Sequence, residues 1–363
     1  MNMLTEQEIR NVLSEIEDPE LHRPITDLNM VRRVRVDGSR VEVEIALTVS
    51  GCPLQHVIEG QVREKLRALP EVKEVQVILG VMDEQERKKL LEQIRGTDLT
   101  PRTRIAEPDS GTRIIAVGSG KGGVGKSTVT VNLALALAQQ GLRVGIIDLD
   151  IYGFSVPRLL GIKQRPMTID DAVVPVESHG MQVMSMAFFV QGNQPVIWRG
   201  PMITGAMEQF LRDVLWADLD YLVADLPPGT GDIPLTMAQR LSHAHLVVVT
   251  TPNTGATEVA IRTAYLAKHA NMHIIGIVEN MSYLECPDCH HRLEPFGSGG
   301  GESLAAELDV PLLGKIPLEG QVREGNDRGN PIMISHPGST AATVFRQIAQ
   351  QVEERISVRS PSR

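Results

Sequence analysis

The chain has 363 residues, 42% of them hydrophobic and 22% charged, with a net charge of −9. That length and composition suit two globular domains with a sizeable buried core. The acidic balance gives no general reason to expect nucleic-acid binding. No apolar run of about 18 residues is present to span a membrane, and three cysteines in so long a chain make no disulfide framework.

The N-terminus is polar, and Thr5-x-x-Glu8 is a capping box that opens a helix rather than an export signal, so a cytoplasmic protein is expected. Met30–Val36 and Val41–Val49 read as strands joined by an Asp37-Gly38 hairpin turn, the second alternating apolar and polar residues. Leu54–Leu69 has helical spacing, Val72–Leu79 alternates again, and Asp83–Arg95 is a charged helical run. Gly96–Gly111, rich in Thr, Pro, Asp and Ser, reads as a linker. These features predict a small α/β domain over residues 1–82, then a helical segment and linker over 83–112. Cys52 follows a strand and precedes Pro53. A helix N-terminus there favours a reactive thiolate, while lone cysteines are often simply buried, so both readings stand. Asp18 and Glu20 read as turn formers.

From Arg113 onward apolar strand-like runs alternate with helical ones: Ile114–Val117, Arg143–Leu149, Tyr221–Ala224, Leu246–Thr250, Ile274–Val278 and Pro311–Ile316. Continuous apolar strands separated by helices imply an α/β fold with a mostly parallel sheet covered by helices on both faces, spanning 113–357 before a tail at 358–363. Ligands of such sheets sit at the carboxyl ends of the strands. One such end carries Gly120, Lys121, Gly122, Gly123, Val124, Gly125, Lys126, Ser127 and Thr128, which meet the pattern G-x-x-x-x-G-K-[ST] between a strand and a helix. Glycines let successive N–H groups turn toward phosphate oxygens, and the helix adds its positive end. Lys126 reaches the β- and γ-phosphates and the Ser127 hydroxyl ligates Mg²⁺, so the chain is a P-loop NTPase that binds a nucleoside triphosphate.

Asp225 ends the strand Tyr221–Asp225, where NTPases of this kind aim a carboxylate at Mg²⁺, and the glycine-hinged run to Asp232 suits γ-phosphate sensing. Asp148 and Asp150 end another strand, and alternation points them to the same side. Mg²⁺ coordination and orientation of the attacking water are the two roles. Spacing does not say which Asp takes which; the expectation adopted puts Asp148 with Mg²⁺ and Asp150 with the water. Asn280 follows Ile274–Val278 and suits either a base edge or a turn.

Cys286-x-x-Cys289 supplies two thiolates, whereas a [4Fe–4S] cluster or closed zinc site takes four ligands. Two chains at a two-fold axis complete the shell, which predicts a cluster bridging a homodimer. The rivals are c-type haem attachment through Cys286–His290, a thioredoxin-like pair, zinc with His290 or His291, and two idle thiols. Near the C-terminus Val344, Ile348, Val352 and Ile356 recur every four residues, a stripe suited to covering one face of the sheet rather than an anionic membrane.

Lys121-Gly-Gly-Val-Gly-Lys-Ser127 resembles the deviant Walker A sequence of the MinD, ParA and nitrogenase iron-protein class. Within that class the chain resembles the Mrp/ApbC family of iron–sulfur cluster carrier ATPases, through Asp148–Pro157, Trp198–Met202, Asp225–Asp232, Glu279–Tyr283, Cys286–Cys289, Gly297–Glu302 and Gly314–Leu318. Residues 5–80, with Asp18-Pro-Glu20 and Thr48–Pro53, resemble the small domain of iron–sulfur assembly factors. The resemblance implies that Lys121 contacts nucleotide across a homodimer interface, that Pro317 joins the nucleotide contacts, and that apo iron–sulfur proteins receive the cluster. Phe154, where the family usually has Pro, and Asn253, where Gln is commoner, depart from the pattern without touching an assigned residue. A ParA/MinD-like nucleotide switch whose cysteines hold zinc or nothing is the competing reading; an electron donor like nitrogenase iron protein is a third.

Overall fold

The computed structural model describes residues 4–19, 23–48, 55–95, 105, 107, 110–151, 153–169, 172–189, 200–286 and 288–359. Glu20, Cys52, Trp198, Arg199 and most of the expected linker lie outside them. Two units are distinguished, Met1–Pro101 with Met167–Glu177, and Arg102–Pro166 with Ser178–Arg363.

In the first unit α1 (Glu6–Leu13) starts where the capping box closes: the Thr5 hydroxyl accepts from the Glu8 amide at 3.3 Å, and the Glu8 carboxylate accepts from the Thr5 amide at 2.8 Å. Gly38, at φ +59°, makes the turn between β1 (Val31–Asp37) and β2 (Arg40–Leu47), which pair antiparallel. The chain crosses over through α2 (Gln55–Arg67) to β3 (Glu74–Val81), which runs parallel to β2, and continues into α3 (Glu84–Arg95). Alternation buries Val41, Val43 and Ile45 against Ile9, Leu13, Ile58 and Val62. Arg32 ties β1 to α3, its Nε donating to the Glu86 carboxylate at 2.7 Å and its Nη2 to the Val81 carbonyl at 2.8 Å.

The second unit begins with β4 (Arg113–Ser119), α4 (Lys126–Ala138), β5 (Val144–Asp148) and α5 (Val156–Leu159). The antiparallel hairpin of β6 (Met167–Ile169) and β7 (Ala172–Val174) belongs to the first unit, where Ile169 joins the core. β8 (Val176–Ser178) begins in the first unit, and after it come β9 (Met181–Ser185), α6 (Gly200–Asp213), β10 (Tyr221–Asp225), α7 (Asp232–Arg240), β11 (His245–Thr250), α8 (Thr254–His269) and β12 (His273–Glu279). A short hairpin of β13 (Leu284–Glu285) and β14 (Arg292–Leu293) follows, and α9 (Gly300–Leu308), β15 (Leu312–Lys315), α10 (Gly320–Arg328), α11 (Ile332–Ser335) and α12 (Thr340–Arg359) complete the unit.

The main sheet runs in the order β15-β12-β11-β4-β10-β5-β9-β8, and the pairs from β15 to β9 are parallel. β4, β5 and β10 are buried almost end to end, as continuous apolar strands between helical layers must be. The fold is that of a P-loop NTPase with a parallel central sheet, preceded by a small α/β domain. Ile348, Val352 and Ile356 on α12 are fully buried against the layer that also holds α4, so the four-residue stripe covers the sheet. β9 adds a strand the apolar runs did not predict, because Met181-Gln-Val-Met-Ser185 is short and reads as core filling. Register places Asp225, Asp148 and Val117 side by side at the carboxyl edge. Among the described residues no helix is long and apolar enough to cross a membrane.

Candidate functional site

Leaving β4, the chain turns tightly enough that Gly123 and Gly125 both sit at φ +84°, a left-handed conformation that L side chains resist. Gly125 is the residue before α4, so the loop ends on that helix's free amides. Val124 is buried in the core and anchors the loop from below. Gly120 serves packing, since a Cβ there would lie 2.4 Å from the Ala260 nitrogen on α8.

Around the loop opens a cavity of about 550 Å³, lined by Gly122, Gly123, Gly125, Lys126, Ser127 and Thr128 and by the exposed Lys121. Asp150, Asn280 and Pro317 reach it from three other segments. Its far wall is α5 and α10, through Arg158, Glu319, Val322, Arg323, Asn326 and Asp327. No pattern in the sequence marked that wall. Asn326 donates to the Thr128 hydroxyl at 2.9 Å, closing α10 onto the first turn of α4.

At the floor one ammonium meets two carboxylates. Lys126, 6% exposed, lies 2.8 Å from Asp225 Oδ1 and 3.4 Å from Asp150 Oδ2. Ser127 donates to Asp225 Oδ2 at 2.5 Å, and Thr130, one helical turn past Lys126, donates to Oδ1 at 2.7 Å. Thr130 was not singled out, because the first turns of α4 already carry Lys126, Ser127, Thr128 and Asn132 and one more hydroxyl makes no pattern. Asp150 accepts from the Gly153 amide at 3.0 Å and keeps an edge on the cavity.

Asp148 is placed otherwise than expected. The strand ends at Asp148, so alternation does not extend to Asp150. The Asp148 carboxylate is fully buried and does not line the cavity. It accepts from the Ser185 hydroxyl at 2.9 Å and from the amides of Ser155, Val156 and Asp150, each at 3.2 Å. These bonds fix the loop from β5 into α5. Asn280 likewise turns its amide to protein, donating from Nδ2 to the Val124 carbonyl at 2.9 Å.

Burial pushes the Asp148 carboxyl up to about 7, with the nearby Asp225 charge adding to the shift. Burial also raises Asp150, against the pull of Lys126. A carboxyl raised above its unfolded value of about 3.9 stabilises the fold in full below that value, and this contribution is lost as pH rises toward the folded value. His243 is lowered by burial and slopes the other way near its ordinary range. In urea titrations of the metal-free protein between pH 5 and 7, Asp148→Asn should therefore remove a fall in stability with rising pH that wild type shows. Parallel curves for the two proteins would refute the buried, protonatable Asp148.

The cysteines lie on the turn of the β13–β14 hairpin. Cys286 donates its amide to the His291 carbonyl at 3.0 Å, and the His290 amide returns to the Cys286 carbonyl at 3.0 Å. Backbone N–H groups of Cys289 and Asp288 turn toward the Cys286 sulfur and, with the Cys289 thiol, hold its thiol below the usual range. Cys289 is exposed and both thiols are free. His290 Nδ1 is 2.9 Å from the Glu285 carboxylate. Among the described residues no group of three or more His, Cys, Asp and Glu is arranged to hold a metal ion.

Residues 111–353 match the family described as NUBPL iron-transfer P-loop NTPase, and residues 6–77 match the iron–sulfur cluster assembly protein family. An iron–sulfur cluster carrier protein of Mycobacterium bovis is 46% identical over 355 residues, 96% of this chain and 93% of that protein. One from Bacillus subtilis is 38% identical over 360 residues, covering 98% and 99%. Among solved structures, a nucleotide-binding protein from Archaeoglobus fulgidus in complex with ADP superposes with a TM-score of 0.54 at 39% identity, over 64% of this chain and 92% of that one. The cell-division ATPase MinD of Pyrococcus furiosus, 24% identical, shares the fold with a TM-score of 0.50 over 67% and 98%. With the phosphate loop, the cysteine hairpin and both matched segments in one chain, this protein belongs to the family of ParA-like iron-transfer P-loop ATPases, with an iron–sulfur assembly domain at its N-terminus.

Proposed function

We propose that the protein hydrolyses ATP to govern an iron–sulfur cluster, its cargo, which it holds between two copies of itself and hands to apoproteins. The observation that carries this reading is the cysteine hairpin: amides aimed at Cys286, an exposed Cys289, and no third ligand grouped with them among the described residues. A [4Fe–4S] cluster has four thiolate positions, so two protomers related by a two-fold axis complete what one begins. Amides directed at a sulfur favour its thiolate, the form that ligates.

At the other site, the amides from Gly122 to Thr128 and the Lys126 ammonium take the β- and γ-phosphates. Lys121, exposed at the cavity, reaches the nucleotide of the second protomer. Asp150 accepts a hydrogen bond from the attacking water and holds it toward the γ-phosphorus. The fit for Mg²⁺ is good: Ser127 and Asp225 present hard oxygens beside each other, and two carboxylates against one lysine leave negative charge to offset. Mg²⁺ bound by Ser127 and, through water, Asp225 would neutralise phosphate charge. Asp148 is left out of that set. The relatives' name, iron–sulfur cluster carrier protein, supports the cargo, and the ADP bound to the Archaeoglobus protein supports the nucleotide.

Anaerobic reconstitution with iron and sulfide, read together with oligomeric mass, tests the reading. Wild type should take up about four irons per dimer, and the Cys286→Ala/Cys289→Ala protein none while still binding ATP. Zinc held by a monomer, or no metal in either protein, would replace this reading with a nucleotide switch.

A further inference from the structure

We propose that Asn280 is a positioning residue that relays the state of the phosphate loop to the cysteine hairpin, so that nucleotide changes the accessibility of Cys286 and Cys289. The inference rests on the reading above for its biological use, but not for its test. Five residues separate Asn280 from Cys286, and almost every step between them is clamped.

The upstream end is held on two sides. Asn280 donates its backbone amide to the Thr250 carbonyl at the end of β11, at 2.8 Å, and its side-chain amide to the Val124 carbonyl inside the phosphate loop, at 2.9 Å. The side chain is buried and fits because Gly125 has no Cβ: one there would sit 2.1 Å from Nδ2. Any rearrangement of the Val124–Gly125 peptide on filling the loop must therefore move Asn280 or break this bond.

Downstream there is little slack. Met281 lines the nucleotide cavity with φ +55°, a conformation that an unbranched, non-glycine residue holds only when its surroundings impose it. Ser282 donates its amide to the Ile316 carbonyl at 2.9 Å and its hydroxyl to the buried Glu279 carboxylate at 2.8 Å. The Tyr283 carbonyl accepts from the Leu318 amide at 2.6 Å, and Leu318 and Pro317 are themselves cavity wall. The Arg292 guanidinium, on the return strand of the hairpin, lies 4.4 Å over the Tyr283 ring. Two residues later the chain is at Glu285, and then Cys286. A taut segment clipped to the loop at one end and to the hairpin at the other transmits displacement instead of absorbing it.

The test uses the full-length, cluster-free, reduced protein and reads alkylation rates at Cys286 and Cys289 by peptide mass spectrometry, with an added thiol peptide as internal reference. In wild type, saturating ATP with Mg²⁺ should change the rate at Cys286 or Cys289 about fivefold or more, the lower end of ordinary coupling between sites. Asn280→Ala, at nucleotide concentrations shown by titration to saturate it, should lose most of that difference, and Asn280→Gln should recover part of it. Ser282→Ala leaves the phosphate-loop bond in place and removes the hydroxyl tie to Glu279 that braces the turn around Asn280, so it should also shrink the difference, and it serves if Asn280→Ala fails to fold. A nucleotide effect of wild-type size in saturated Asn280→Ala, or in Ser282→Ala where the former does not fold, overturns the proposal, as does a wild type whose thiols ignore nucleotide. Cluster uptake is not measured here, so a protein that binds no cluster yet shows the relay would sink only the carrier reading.

Discussion

Lys126→Ala is expected to lower ATP hydrolysis by about a hundred- to a thousandfold, the scale on which removal of one preorganised charge-stabilising group is felt. Its second effect is on the empty protein. Lys126 is buried between Asp225 and Asp150, and its charge also acts on the buried Asp148. Breaking a buried pair by removing one partner costs about 3–5 kcal/mol, because a charge is left in a poorly solvated place. Here the loss has an outlet: two of the carboxylates are already raised by burial, and without the lysine they take up protons more readily still. Destabilisation of Lys126→Ala should therefore be greater at pH 8 than at pH 5, measured by urea denaturation without nucleotide. Lys121→Ala is the contrast. Its side chain is exposed, so urea stability should stay at the wild-type value while hydrolysis falls if it acts across the dimer. Hydrolysis by Lys126→Ala within tenfold of wild type would remove the phosphate loop from the proposed chemistry.

These two lysines show what a sequence reveals and what it withholds. The loop was legible because its function is performed by the backbone, and glycines at fixed offsets leave a local signature that needs no knowledge of neighbours. Buried parallel strands were legible for a similar reason, since β4, β5 and β10 are apolar on both faces whatever packs there. The three aspartates were legible as a group but not as individuals. Asp148 and Asp150 differ only in where β5 ends, and one residue decides whether a carboxylate caps a helix or opens onto a cavity. The partner of Asn280 lies 156 residues away and could not be found from spacing. The α10 wall escaped for another reason: Gly320–Arg328 is a polar helix with no periodic signal, and only the tertiary fold aims it at the loop. The hairpin Met167–Val174, too short for a strand pattern, gave no sign that Ile169 would serve the first unit's core.

Gly120→Ala should be far more damaging to the fold than Gly122→Ala, with Gly123→Ala between them. At Gly122 a Cβ meets nothing within 4 Å. Such a surface change falls within about 0.5 kcal/mol, a shift of roughly 1–2 °C in melting temperature. Gly123 has equal space but sits at φ +84°, so alanine there costs about 1–2 kcal/mol in backbone strain. Gly120 has an ordinary backbone conformation but no space. Its added Cβ would stand 2.4 Å from both the Ala260 nitrogen and the Val259 carbonyl carbon, which are backbone atoms of α8 in mid-helix and have no rotamer to give. Either α8 moves away from β4 or the loop lifts off it. Overpacking of this kind usually costs about 1–3 kcal/mol, and backbone against backbone belongs at or beyond the upper end. Lifting the loop also turns its amides away from the phosphates, so ATP affinity should fall by about tenfold or more, since each 1.4 kcal/mol of lost contact is a factor of ten. Thermal melts of the three alanine variants, with calorimetric titration of ATP and Mg²⁺, check the order. If Gly120→Ala melts with wild type, the first glycine of the pattern is not a packing residue, and the close approach of the loop to α8 is wrong.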